Sequence, residues 1–202
     1  MRVGDPYTGS PSTPPVPALS RWSATAVLRL FALFAELLRL RVGPQALPAS
    51  DRVVAVAVVA LGGASLLTVQ HLYPLGSGVA RVGLDLLITV AFFAGLLSVA
   101  RRPERFRQTF AAVCGTGALL VLITWPLLDI VVERGREDTL YAVAVLALLG
   151  VYVWHVVVIG HILRHALDTR PARGIALALI FVLGSGLIGD LVVPPPELEG
   201  AE

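Results

Sequence analysis

The stretch LYAVAVLALLGVYVWHVVVIGHILRHAL, residues 140–167, decides the fold of this chain. From Leu140 through Gly160 its only ionisable side chain, apart from Tyr141 and Tyr152, is His155. An apolar run of this length crosses the hydrocarbon core of about 30 Å as a helix, which satisfies its backbone groups within its own segment. Four further runs of this kind accompany it. The sequence therefore predicts an all-α polytopic membrane protein.

The composition agrees with a membrane protein and excludes other classes. Of the 202 residues, 56% are hydrophobic and 15% are charged, which gives too little polar surface for a water-soluble domain. The net charge of +2, with arginines that form no single patch, argues against nucleic acid as a partner. Cys114 is the only cysteine, so no intrachain disulfide or thiolate metal cluster forms. We expect the lipid bilayer as partner, with a membrane-protein partner or a homo-oligomer as further options.

Breaks between the apolar runs define one transmembrane domain at residues 50–195. Pro44 and Pro48 stop the helix before it, and Ser50 or Asp51 is expected to cap the first span. The predicted spans are residues 53–72, 79–100, 109–132, 140–167 and 174–193. The predicted flanking segments are a disordered tail at 1–20, an amphipathic interfacial helix at 21–43 and an acidic tail at 196–202.

The amphipathic helix combines a broad apolar face with a narrow polar stripe. The stripe consists of Thr25, Arg29, Ala32, Glu36 and Arg39 at helical spacing. If this helix spanned the bilayer, Arg29 and Glu36 would be buried near its middle at a cost of several kcal/mol each. The sequence therefore favours a helix that lies in the membrane interface.

Arginine placement predicts the orientation of the five spans. With a cytoplasmic N-terminus, thirteen arginines fall on the inner side and three on the outer side. The outer three are Arg81, Arg134 and Arg136. We therefore expect a multi-pass protein of the inner (cell) membrane whose C-terminus lies outside.

Three motifs carry a family resemblance. They are the helix ending in GPQALP (43–48), the turn RPERFRQTF (102–110) and the segment VYVWHVVVIGHILRHAL (151–167). Together they resemble the Yip1-domain superfamily of small five-span membrane proteins over roughly residues 30–195. Such proteins often carry an F-x-Q-T-type turn, here Phe106 to Thr109, and a mid-helix tryptophan followed by glycine, here Trp154 and Gly160. The resemblance implies the fold; the small GTPase partners of the eukaryotic members are not carried over.

Three aspartates on three different spans are the sharpest polar feature of the transmembrane domain. By helical rise, Asp85, Asp129 and Asp190 all lie about 9–12 Å from the bilayer centre, in its outer half. The interpretation that the sequence favours places each carboxylate near a helix end, with Arg81 one turn from Asp85 as an ion partner. The alternative is that all three converge on one polar pocket opening outward, with Arg81 or His71 supplying the compensating charge.

Three histidines lie on the fourth predicted span. His155 is near mid-bilayer and needs a buried partner. His161 and His165 are one turn apart on one face, a spacing that can hold a metal, but a polar helix end beside Arg164 explains them more simply. A bis-histidine haem needs a second histidine at the depth of His155, and His71 lies instead at the outer end of the first span. We therefore expect no metal and no cofactor.

Catalytic motifs are absent from this sequence: it contains no phosphate-cradling glycine-rich loop and no H-E-x-x-H. The first hypothesis is a non-enzymatic Yip1-like protein that acts through protein interaction or membrane organisation. The second is a small transporter or an ion or proton pathway that uses Asp85, Asp129 and Asp190. The third is an accessory subunit of a larger membrane complex.

Overall fold

The computed structural model describes residues 24–195, and this part of the chain contains six α-helices. They are α1 (Ala24–Leu38), α2 (Asp51–Val69), α3 (Leu75–Val99), α4 (Phe106–Glu133), α5 (Thr139–Ala166) and α6 (Pro171–Val192). Short 3-10 turns, Pro44–Ala46 and Pro103–Arg105, precede α2 and α4. The predicted tails at 1–20 and 196–202 lie outside the described residues.

Five of these helices, α2 to α6, are long and apolar enough to cross a membrane, when α4 is taken with the turn before it. The prediction of an all-α, multi-pass membrane protein is confirmed. The predicted cap at Ser50 is present, since Ser50 Oγ accepts a hydrogen bond from Arg52 N at 3.3 Å. Asp138 caps α5 in the same way and accepts a hydrogen bond from Leu140 N at 2.8 Å. Each satisfies a backbone N–H that has no partner within the helix.

One span begins earlier than predicted. The sequence predicts a loop through Gly78, but α3 begins at Leu75 because Pro74 holds an extended conformation that ends the loop there. The Pro74 carbonyl then accepts hydrogen bonds from Ser77 Oγ and Gly78 N, at 3.0 and 2.8 Å. The other four spans lie within three residues of their predicted bounds.

The first half of α4 is the centre of the bundle. Residues 109–118 are all buried, and α4 packs against α1, α2, α3 and α5. Most of these residues are small, which lets neighbouring helices approach closely. A Cβ atom at Gly117, for example, would lie 3.3 Å from the Leu61 side chain of α2.

The second half of α4 has no such cover, since Leu122, Ile123 and Trp125 are exposed. On α6, a Cβ atom at Gly184 or Gly186 would meet no other atom within 4 Å, so these glycines are not in a close helix contact. The bundle is therefore closely packed at one end and open at the other.

We name the two ends by their charge. The arginine-rich end carries residues 39–50, 100–105 and 167–170, together with the packed half of α4. The arginine-poor end carries residues 70–74, 134–138 and 193–195. The open half of α4 lies toward the arginine-poor end.

Helix α1 lies against α4 and α5 near the arginine-rich end. Its buried Phe34 contacts Gly115 of α4, and the Leu38 carbonyl accepts a hydrogen bond from Trp154 Nε1 of α5 at 3.2 Å. The helix ends before residue 43, the predicted end, because Leu40 takes a positive φ of 61°. Several residues of α1 are exposed, namely Val27, Leu28, Arg29, Phe31 and Ala32. A position in the membrane interface stays a prediction.

Candidate functional site: a cavity beside Arg81

Arg81, on the second turn of α3, joins two of the three aspartates. Its Nη1 lies 2.7 Å from Asp190 Oδ1 on α6, and its Nε lies 3.5 Å from Asp85 Oδ2 one turn further along α3. Nη1 also donates to Tyr73 Oη at 3.2 Å, and the guanidinium carbon lies 5.9 Å from the centre of the Tyr73 ring. The predicted Arg81–Asp85 ion pair is confirmed, and Asp190 and Tyr73 are further partners.

A glycine lets α6 come close enough for this arrangement. A Cβ atom at Gly189 would lie 2.6 Å from the Arg81 guanidinium carbon, so a larger residue there would push Arg81 away from Asp190. The Arg81 side chain is 14% exposed, whereas those of Asp85 and Asp190 are 48% and 61% exposed. Each carboxylate therefore keeps a free face while the guanidinium is enclosed. One guanidinium and two carboxylates carry a net charge of −1 when all are ionised.

Two cavities adjoin this cluster. The first, about 460 Å³, lies at the arginine-poor end, and its polar lining is Ser65, Thr68, Tyr73, Arg81, Asp85 and Asp190. The second, about 250 Å³, shares Ser65, Arg81, Val82 and Asp85 with it and reaches Thr89, Ser185 and His155. We call them the outer-end cavity and the inner cavity. Together they join the ion cluster to the middle of α5.

Asp129 belongs to a different pair. Its Oδ1 lies 2.7 Å from His71 Nε2, and His71 Nδ1 lies 3.1 Å from the Thr68 carbonyl. Because a carbonyl only accepts, Nδ1 donates to it, and the contact of Nε2 with Asp129 then needs a proton between those two atoms. Asp129 lines neither cavity. The alternative of one pocket for all three aspartates is therefore wrong: Asp85 and Asp190 share Arg81, while Asp129 pairs with His71.

The three carboxylates also differ in depth along their helices. Because α3 begins at Leu75, helical rise places Asp85 about 15 Å from the start of α3. Asp190 and Asp129 lie about 3 Å and 6 Å from the ends of α6 and α4. The interpretation that each carboxylate lies near a helix end fits Asp129 and Asp190 and is wrong for Asp85.

His155 lies where the inner cavity meets a further cavity of about 250 Å³, which is lined mainly by apolar residues of α4 and α5. The sequence predicts a buried polar partner for His155, but no described residue makes a hydrogen bond to it. The physical reason is the open half of the bundle: the imidazole faces cavity space where a packed helix would have supplied a partner.

His161 and His165 lie outside the outer-end cavity and the inner cavity. Their rings are 4.6 Å apart; His161 Nε2 lies 3.0 Å from the Val42 carbonyl, and His165 Nε2 lies 3.2 Å from Arg164 Nη2. The Nε2 atoms of both histidines are therefore engaged with protein groups. Over residues 24–195, no group of three or more His, Cys, Asp or Glu side chains is placed to hold a metal. The geometry assigns the pair to packing at the arginine-rich end.

The three resemblance motifs meet at the arginine-rich end, which sequence reasoning did not predict. Gln45 donates to the His165 carbonyl at 2.9 Å, and Gln108 donates to the Leu47 carbonyl at 2.7 Å. Trp154, from the third motif, donates to the Leu38 carbonyl. These amide and indole donors satisfy backbone carbonyls where the helices end, so the motifs hold residues 38–47 against α4 and α5.

Comparisons of this chain with protein-family models, with curated proteins and with solved structures give no significant match. The resemblance to the Yip1-domain superfamily therefore stays a prediction. The chemistry of the site rests on its own geometry: an enclosed arginine, two half-exposed carboxylates and a histidine that no described residue hydrogen-bonds, all bordering two neighbouring cavities.

Proposed function

We propose that this protein is a non-enzymatic small transporter or ion pathway that binds a cation in the outer-end cavity. The observation that carries the proposal is the unequal charge count at Arg81. Two carboxylates, Asp85 and Asp190, face a cavity of about 460 Å³ and share one guanidinium. Carboxylates with free faces in an apolar domain attract a cation, because its charge offsets the uncompensated negative charge.

The closed half of the bundle supports a transporter rather than an open pore. Residues 109–118 of α4 are buried, and none of them lines the outer-end cavity or the inner cavity. A site that is reached from one side and closed toward the other is the arrangement that alternating access requires. Movement of a cation across the membrane then needs α4 and its neighbours to separate at the arginine-rich end.

Cation flux into proteoliposomes tests the proposal. We expect uptake of a monovalent cation or proton that depends on the protein, and a reduction of tenfold or more for Asp85→Asn and for Asp190→Asn. Asp129→Asn is the matched control, because it removes an intramembrane carboxylate that lines neither cavity. Equal flux in all three variants, or no protein-dependent flux of any cation, would contradict this function.

The proposed location is the inner membrane, with the N-terminus in the cytoplasm. Arginines concentrate at the end that carries residues 39–50, 100–105 and 167–170, and this bias supports a cytoplasmic position for that end. The outer-end cavity would then open outside the cell. The cation would enter from the extracytoplasmic side.

A second candidate is membrane organisation of the Yip1-like kind, through protein or lipid contacts of α1. It is favoured by the exposed apolar side chains of Val27, Leu28 and Phe31, which lie beside the exposed Arg29. A helix with this pattern inserts its apolar face among lipid acyl chains while the charge stays in water. Absence of flux in the proteoliposome assay leaves this candidate as the stronger one.

A further inference from the structure

We infer that the cation is an elongated organic ammonium, with its charged end at Asp85 and a hydrogen-bonding group at His155. The inference rests on the proposed function, because it specifies the ligand class of that same site. It follows from the inner cavity, whose lining includes both the Asp85 carboxylate and the His155 imidazole.

Apolar side chains also line the inner cavity. They include Leu61, Leu86, Phe181 and Val182. A bare inorganic cation gains nothing from such walls, whereas an aromatic or aliphatic body is stabilised by burying its surface against them. The inner cavity of about 250 Å³, which shares four lining residues with the outer-end cavity of about 460 Å³, accommodates a body of that kind.

The distances at Arg81 make Asp85 the carboxylate available to a ligand. Arg81 approaches Asp190 to 2.7 Å but Asp85 only to 3.5 Å. Asp85 is also the carboxylate that borders both cavities. An ammonium in the inner cavity would therefore pair with Asp85 while Arg81 stays bound to Asp190.

His155 is one of the polar groups of the inner cavity that make no hydrogen bond with any described residue; the hydroxyls of Ser65 and Tyr152 are the others. The Thr89 hydroxyl donates to the Asp85 carbonyl at 2.6 Å, and the Ser185 hydroxyl donates to the Val182 carbonyl at 3.1 Å. Their donors are thus already engaged, whereas His155 makes no hydrogen bond with any residue from 24 to 195. An imidazole offers a donor and an acceptor, and a ligand group that pairs with either one relieves the cost of leaving it unpaired.

Binding of two matched amines to the purified full-length protein tests the inference. Tyramine carries a phenol hydroxyl at the end opposite its ammonium, and phenethylamine is the same molecule without that hydroxyl. In calorimetric titrations of protein in nanodiscs, we expect tyramine to bind about tenfold more tightly, the effect of one hydrogen bond to a buried group. Asp85→Asn should weaken both amines, and Asp129→Asn should weaken neither.

Variants of His155 decide where the hydroxyl binds. His155→Leu should abolish the preference for tyramine while phenethylamine binding persists, and His155→Gln should retain part of the preference because an amide also forms hydrogen bonds. Equal binding of the two amines by the unaltered protein, or an unchanged preference in His155→Leu, overturns the inference. If neither amine binds but inorganic cation flux depends on Asp85, the inference fails and the proposed function stands. If flux is also independent of Asp85, both fail.

Discussion

Arg81 places a positive charge inside an apolar domain, and the molecule compensates it from two helices. A guanidinium that is only 14% exposed needs partners for its donors, and Asp190, Asp85 and Tyr73 provide them. The pair with Asp85 could be predicted, because i and i+4 positions lie on one face of a helix. The pair with Asp190 could not, because 109 residues separate the two and only the packing of α6 at Gly189 brings them together.

At the same residue scale, Asp168 forms an ion cluster at the arginine-rich end. Arg102 hydrogen-bonds to its carboxylate and Arg105 lies 3.0 Å away, and these guanidinium groups lower the pKa of the Asp168 carboxyl below its ordinary value of about 3.9. A carboxyl whose pKa is lower in the folded state stabilises the fold above its unfolded pKa. That stabilisation is lost as the pH falls through the folded pKa.

We therefore predict that Asp168→Asn lowers the unfolding temperature slightly at pH 7 and that the difference shrinks steadily as the pH falls below about 4. The effect is small because the side chain is solvent-exposed. Asparagine is the appropriate replacement, since residue 168 has a positive φ of 48° that Asn tolerates. Thermal unfolding in detergent at several pH values measures it. A difference that persists unchanged below pH 4 would show that the charge of Asp168 is not its cause.

At the scale of elements, hydropathy and caps predicted the helices well, because a transmembrane helix satisfies its own backbone. Contacts between helices were harder to predict. From the sequence alone, every small residue in a span is equally suited to close helix packing. In the structure, however, a Cβ atom at Gly174 would meet the Gly160 carbonyl, whereas one at Gly184 would meet nothing within 4 Å. Which glycines lie in a contact depends on how each helix rotates and tilts in the bundle, and the one-dimensional pattern does not contain that information.

The α5–α6 contact gives a prediction at this scale. Gly174→Ala should destabilise the protein by about 1–3 kcal/mol, because the added methyl group meets backbone atoms of Gly160 and Arg164 that cannot easily move. Gly184→Ala is the matched control on the same helix. It should be neutral or stabilising by up to about 1 kcal/mol, since alanine favours a helix and the space is open. Unfolding in detergent micelles measures both, and equal effects would show that α5 and α6 do not touch at Gly174.

At the scale of the whole molecule, the two ends of the bundle differ in packing and in charge. The run of small residues at 109–118 is visible in the sequence and is typical of close helix packing. The cavities at the other end are not visible there, because they arise where helices diverge. The prediction of a polar partner for His155 was wrong for the same reason: the sequence does not show that this residue borders a cavity.

The orientation of this asymmetric bundle gives the last prediction. In a Cys114→Ala background, which removes the only cysteine, Gly135→Cys should react with a membrane-impermeant maleimide on intact cells. Glu104→Cys should react only after the cells are permeabilised, because arginine bias places its loop in the cytoplasm. Both positions lie outside helices α2 to α6 in exposed segments, so access of the reagent depends on the side of the membrane alone. Labelling of residue 104 from outside would show that the orientation is the reverse of the predicted one. The outer-end cavity would then open to the cytoplasm, and the cation would enter from within the cell.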